Sequence, residues 1–148
     1  MKKFSFRLQR ILDLRGAREK QRLGELGRQQ QTLRREQDKL ELFHGEQRAQ
    51  LEEMQISRAR EFIAWSFQSG QRYMVRIGRV LEMQTQRVHG QEKAVEVARE
   101  TYLEARRETS VLEHLRDRRR EEWDKMTQQE EGKVLDDVGL RQCERQLS

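Results

Sequence analysis

The sequence predicts an all-α chain: two long helices folded back on each other as an antiparallel coiled-coil hairpin, the second helix the longer. Three observations lead there. Stepping by alternate fours and threes from Gly70 reaches Met74, Ile77, Leu81, Gln84, Val88, Gln91, Val95, Ala98, Tyr102, Ala105, Thr109, Leu112, Arg116, Arg119, Trp123 and Met126. Most of these are apolar or small, and the residues between them are mostly Arg, Glu, Lys and Gln, so one helix carries a narrow seam of 3.5-residue period. Second, 34% of the 148 residues are hydrophobic, 39% are charged and none is proline. That balance is too polar for a packed globule and too regular for disorder, whereas long helices satisfy both facts. Third, a weaker seam of the same period lies in the first third of the chain and supplies a partner for the second.

Taken in order, Phe4 to Arg15 is the most apolar segment, with Phe4, Leu8, Ile11 and Leu12 on one helical face, Leu14 beside them and Ser5 a candidate N-cap. From Leu23 the first seam runs through Leu26, Gln30, Leu33, Gln37, Leu40, His44, Gln47, Leu51 and Met54. Joining the Leu8/Ile11 stripe to this seam requires a phase shift between about residues 12 and 23. Its alternate polar positions set register more than they add stability. Helix 1 is expected over about 4–55, the turn at about 55–59 and helix 2 over about 58–140, with 141–148 a loose tail; Ser66 to Gly70 is the alternative turn. Helices of roughly 50 and 80 residues span about 75 and 120 Å. The shorter therefore leaves the longer with little cover from about Thr109 on, exposing Leu112, Leu115, Trp123, Met126 and Leu135 for a partner.

Chemistry-bearing patterns are missing. There is no Gly-rich phosphate loop, CxxC or HExxH, and no nucleophile with a base nearby. His44, His89 and His114 are too far apart to share a metal, so no catalytic residue, cofactor or metal is expected. Net charge is +5 and the pI about 9.7, but 31 Lys and Arg alternate with 26 Asp and Glu. Such interleaving describes a solvated helix face better than a nucleic-acid surface. Cys143 is the single cysteine, which fits a reducing compartment, and no run approaches a membrane span. A cytoplasmic protein is expected, with room for docking on a membrane-bound machine.

The opening Lys3-Phe4-Ser5-Phe6-Arg7-Leu8-Gln9-Arg10-Ile11-Leu12 resembles the N-terminal signature of the FliJ family, coiled-coil stalk proteins of the bacterial flagellar export apparatus. There a Phe-x-Phe-x-Leu-x-x-aliphatic-Leu pattern leads the first helix, and Phe4, Phe6, Leu8, Ile11, Leu12 and Arg15 occupy those places. Ala105, Leu112 to Arg116, Trp123 and Lys133-x-Leu135-Asp136-Asp137-Val138 agree with its later features, the last with a departure at Gly139. The resemblance covers essentially the whole chain. It implies a non-enzymatic stalk, peripheral to the inner membrane, that inserts its open helix ends into the hexameric flagellar export ATPase and promotes ring assembly. It also implies contact with the large membrane subunit of the export gate and handling of export chaperones, with no nucleic acid or small-molecule substrate. On this chain the ATPase contact falls on Phe4, Phe6, Leu8, Ile11, Leu12, Arg15, Trp123 and Leu135. The gate contact falls on Tyr73, Ile77, Val80 and Gln84, although Ile77 and Gln84 equally suit the intramolecular seam. An injectisome-type stalk, a dimeric coiled-coil scaffold and a basic helical arm binding nucleic acid are the alternatives.

Overall fold

A computed structural model describes residues 3–60 and 64–147. Among them are two helices, α1 (Gln9–Arg60) and α2 (Ala64–Leu147), of 52 and 84 residues. The chain divides into two units, one of Met1–Lys20 with Glu104–Ser148 and one of Gln21–Leu103. Each pairs a segment of α1 with a segment of α2.

In the 21–103 unit the pairing is antiparallel. Met54 meets Gly70, Glu36 meets Gln84 and Gln29 meets Gln91, so α2 advances as α1 recedes. The apolar core is a single line of Leu26 from α1 with Ile77, Leu81, Val88 and Val95 from α2. All four α2 residues lie on the alternation of fours and threes counted from Gly70, so the heptad reading of α2 holds. Gly70 is buried because the helices come close there: a Cβ on it would lie 3.1 Å from the Met54 sulfur and 3.2 Å from its Cγ. Nearby, the Arg58 guanidinium caps the Phe67 ring at 4.7 Å, a cation–π contact.

The unit of 1–20 and 104–148 is antiparallel too. Arg15 pairs with Glu108, Glu19 with Arg106 at 3.1 Å, and the Phe4 ring sits 6.0 Å from that of Trp123, tilted by 57°. Leu12, Ala105 and Thr109 are buried. Thr109 satisfies its hydroxyl by donating to the Ala105 carbonyl one turn earlier.

Four expectations need correction. The helix does not break at 55–59: α1 continues through Arg60, and the alternative turn residues Ser66 to Gly70 lie within α2. Arg58, Ala59 and Arg60 are strong helix formers that outweigh Ile56 and Ser57. Residues 61–63, which fall within the expected second helix, lie outside the described residues. At the start, α1 begins at Gln9 rather than about residue 4, with the Leu8 carbonyl accepting the first helical bond from Leu12 N at 3.0 Å. Ser5 therefore lies upstream of the cap position. At the end, α2 runs to Leu147, because Gly139 is followed by Leu, Arg, Gln and Glu residues that carry the helix through the expected loose tail.

The fourth correction concerns α1's seam. No phase shift is present. Leu8, Leu12, Arg15, Glu19, Arg22, Leu26, Gln29, Leu33, Glu36, Leu40, Phe43, Gln47, Gln50 and Met54 are all buried or half-buried, in unbroken alternation of fours and threes. Gln30, Gln37, His44 and Leu51 are exposed, each one residue beyond a true seam position. Charged Arg15, Glu19 and Arg22 hide the continuity from an eye seeking apolar residues. They fit because Arg15 and Glu19 pair with α2 and Arg22 pairs with Glu25 at 3.1 Å on its own helix. The long aliphatic stems of Arg15 and Arg22 suit half-buried seam positions.

Candidate functional site

The expected ATPase-contact residues separate into four kinds. Leu12 is buried and Leu8 half-buried on the seam, so both hold α1 against α2. Phe4, Phe6 and Trp123 are half-buried at the place where the non-helical residues 3–6 lead into α1. Arg15 is tied to Glu108. Only Ile11 and Leu135 present large apolar surface to solvent, at 45% and 71% exposure.

Cover on α2 extends further than the length argument suggested. Thr109 is buried, Leu112 and Leu115 are half-buried, and Trp123 still lies against Phe4. Within this unit the non-helical residues 3–8 carry the cover past the first turn of α1, with Phe4 against Trp123. Beyond Trp123 the situation changes. Met126, Val134, Leu135, Val138 and Leu140 are all exposed. Trp123, Met126, Thr127, Glu130, Glu131, Val134 and Leu135 line one continuous surface on this stretch. Its spacing of threes and fours is that of a seam residue set, yet Met126, Val134 and Leu135 on it stay exposed. Val134 is a member the residue-by-residue expectation missed, because it lies between the positions that the resemblance singled out.

Leu14 is the other omission. It is 72% exposed, near Ile11 on α1 and off the seam. Counting the heptads back from Leu26 through Arg22, Glu19 and Arg15 to Leu12 is the signal that would have separated the exposed Ile11 and Leu14 from the buried Leu12.

The expected gate-contact residues lie in the 21–103 unit. Ile77 and Gln84 are in the seam, at 6% and 3% exposure. Tyr73 and Val80, seven residues apart, are half-buried along the flank of that seam. Gln84 donates from Nε2 to the Glu36 main-chain carbonyl at 2.9 Å and to the Glu36 carboxylate at 2.6 Å. That hydrogen bond, reinforced by the Lys39 ammonium, holds the Glu36 carboxyl below its ordinary range.

The basic run of the sequence is locally compensated. Arg116 meets Asp117 at 3.2 Å, and Arg118 and Arg119 both reach Glu122, at 3.6 and 3.1 Å. Among the described residues no group of three or more His, Cys, Asp or Glu is placed to hold a metal, and no helix is long and apolar enough to cross a membrane.

A family model described as flagellar FliJ protein matches residues 4–148. No curated protein and no solved structure matches the chain. The model spans the Phe4/Phe6 opening, both antiparallel units and the bare end of α2 alike, and on that coverage the chain belongs to the FliJ family, a component of the flagellar protein export apparatus.

Proposed function

We propose that the chain is the stalk of the export ATPase, entering the ring with the bare end of α2 and meeting the membrane export gate through the flank of the seam. One observation carries the reading. From Met126 to Leu140 the helix carries five large apolar side chains, Met126, Val134, Leu135, Val138 and Leu140, that are left exposed. Isolated helices gain most of their stability from packing an apolar face, so such a stretch calls for a partner in the assembled machine. The hollow of a hexameric ring is a partner that a single projecting helix can fill. Ile11 and Leu14 add exposed apolar surface from α1 in the same unit. Mechanical coupling by a protein without an active site accords with helices built of ion-paired surface and a thin seam. Handling of export chaperones belongs to the same reading through the family, and peripheral attachment to the inner membrane follows from the gate contact.

For the gate, Tyr73 and Val80 are the residues that keep side-chain surface free while Ile77 and Gln84 are engaged within the seam. Tyr73→Ala combined with Val80→Ala is expected to reduce capture of the large gate subunit in a pull-down by about tenfold, corresponding to about 1.4 kcal/mol. Capture of the ATPase should be unchanged. Loss of ATPase capture with intact gate capture would reverse the assignment of the two surfaces.

A further inference from the structure

Two successive heptad layers of the 21–103 unit are polar on both helices, and they are built alike. Gln84 Nε2 donates to the Glu36 carbonyl at 2.9 Å and to its side-chain oxygen at 2.6 Å; Gln91 Nε2 donates to the Gln29 carbonyl at 3.1 Å and to its side-chain oxygen at 2.6 Å. The partners are seven residues apart on each helix, so both pairs belong to one axial alignment. Gln84 is 3% exposed, a degree of burial that glutamine tolerates only with its amide bonded.

The repeating leucine and valine layers of the seam do not define that alignment by themselves. Leu26, Leu33 and Leu40 recur every seven residues on α1, as do Leu81, Val88 and Val95 on α2. Sliding one helix by a heptad would again set Leu against Leu or Val. The polar layers break the degeneracy. A slide of seven in one direction brings Gln84 opposite the Phe43 position, and in the other it brings Gln91 opposite Arg22. In the first case a buried amide faces an aromatic ring with no acceptor on its side chain; in the second it faces a side chain that only donates. Neither alignment preserves both pairs, and an unmade buried hydrogen bond is costlier than a made one is favourable.

We propose that Glu36–Gln84 and Gln29–Gln91 form a two-layer register lock that holds α1 and α2 of this unit to one axial alignment. The same logic governs single polar seam residues in coiled coils, which set register at a cost in stability. Here the lock is doubled, and each glutamine grips the opposing main chain as well as the side chain. The proposal rests on the hairpin alone and does not depend on the ATPase or gate assignments.

The test uses the full chain with Cys143→Ser and spin labels at Arg34→Cys and Gln86→Cys, two exposed positions at the same axial level in the observed alignment. Pulsed electron resonance should give one narrow distance. With Gln29→Leu, Glu36→Leu, Gln84→Leu and Gln91→Leu added, the expected result is a second distance population, from chains displaced by one heptad, about 10 Å along the axis. Helicity and melting temperature should stay equal or rise. A variant that restores Gln29 and Gln91 and keeps only Glu36→Leu and Gln84→Leu should return to a single distance. A single unchanged distance in the four-leucine variant would overturn the proposal. So would collapse of its helicity, since that would show the layers supplying stability and not alignment.

Discussion

Met126→Asp together with Leu135→Asp is expected to abolish most of the chain's stimulation of its export ATPase while leaving helix content and melting temperature nearly unchanged. Both side chains are exposed, at 60% and 71%, so placing a carboxylate on either removes no internal contact. Surface substitutions of this kind shift folding stability by no more than about 0.5 kcal/mol. Inside a ring the same carboxylates must be desolvated without a partner. Truncating a single buried apolar anchor at an interface costs about 2 kcal/mol, a factor near 30 in affinity, and two charged replacements exceed that. ATPase rate against stalk concentration is the measurement. Full stimulation at ordinary concentrations would remove the bare end of α2 from the contact. Val75→Asp is the control, an equally exposed change in the other unit at 59% exposure.

The second large effect is on the hairpin itself. Leu81 is 7% exposed in a core only one side chain wide. Leu81→Ala should cost about 2–3 kcal/mol, by lost transfer energy and an unfilled space. The melting midpoint should then fall by roughly 8 °C. Leu42→Ala, at 61% exposure, should change it by less than about 2 °C. A sharper comparison is available next door. Phe43 is half-buried and His44 exposed. Phe43→Ala should destabilise by more than about 1 kcal/mol while His44→Ala should be close to neutral. Thermal melts followed by circular dichroism read all four. Equal losses at 43 and 44 would mean that α1 is rotated from the observed seam.

That pair also shows how far the sequence could be read. On α2 the buried positions Ile77, Leu81, Gln84, Val88, Val95, Ala105 and Thr109 all sit on the heptad count begun at Gly70, because apolar and small residues recur there with few interruptions. On α1 the count was one residue out at every second position. Leu26, Leu33, Leu40, Gln47 and Met54 were correctly in the seam, but the positions between them are Gln29, Glu36, Phe43 and Gln50. Gln-Gln and Glu-Gln neighbours at 29–30 and 36–37 look interchangeable in a hydropathy pattern. What separates them is the hydrogen bond from the opposing Gln91 or Gln84, which no pattern within one helix contains.

The helix ends were the least legible for a related reason. Without proline, and with glycines scattered inside both helices, nothing local marks where helix gives way to turn. The bare surface of α2 was visible in outline from Trp123, Met126 and Leu135. Its start depended on how far α1 and the preceding residues reach back along α2, and Phe4 against Trp123 fixes that at a point well past Thr109. Among the gate candidates, the half-buried Tyr73 and Val80 differ from the seam residues Ile77 and Gln84 only by the side of α2 on which α1 lies.

On the proposal made above, this FliJ-family chain works by lodging a helix end in the ring of the export ATPase. Size-exclusion chromatography of the purified chain with the hexameric export ATPase of the same cell, in magnesium and a non-hydrolysable ATP analogue, tests it directly. The account predicts co-elution with the ring at substoichiometric ratio, near one stalk for six ATPase subunits, since a central hollow admits one occupant. Separate elution, or binding at one chain for every subunit, would contradict it.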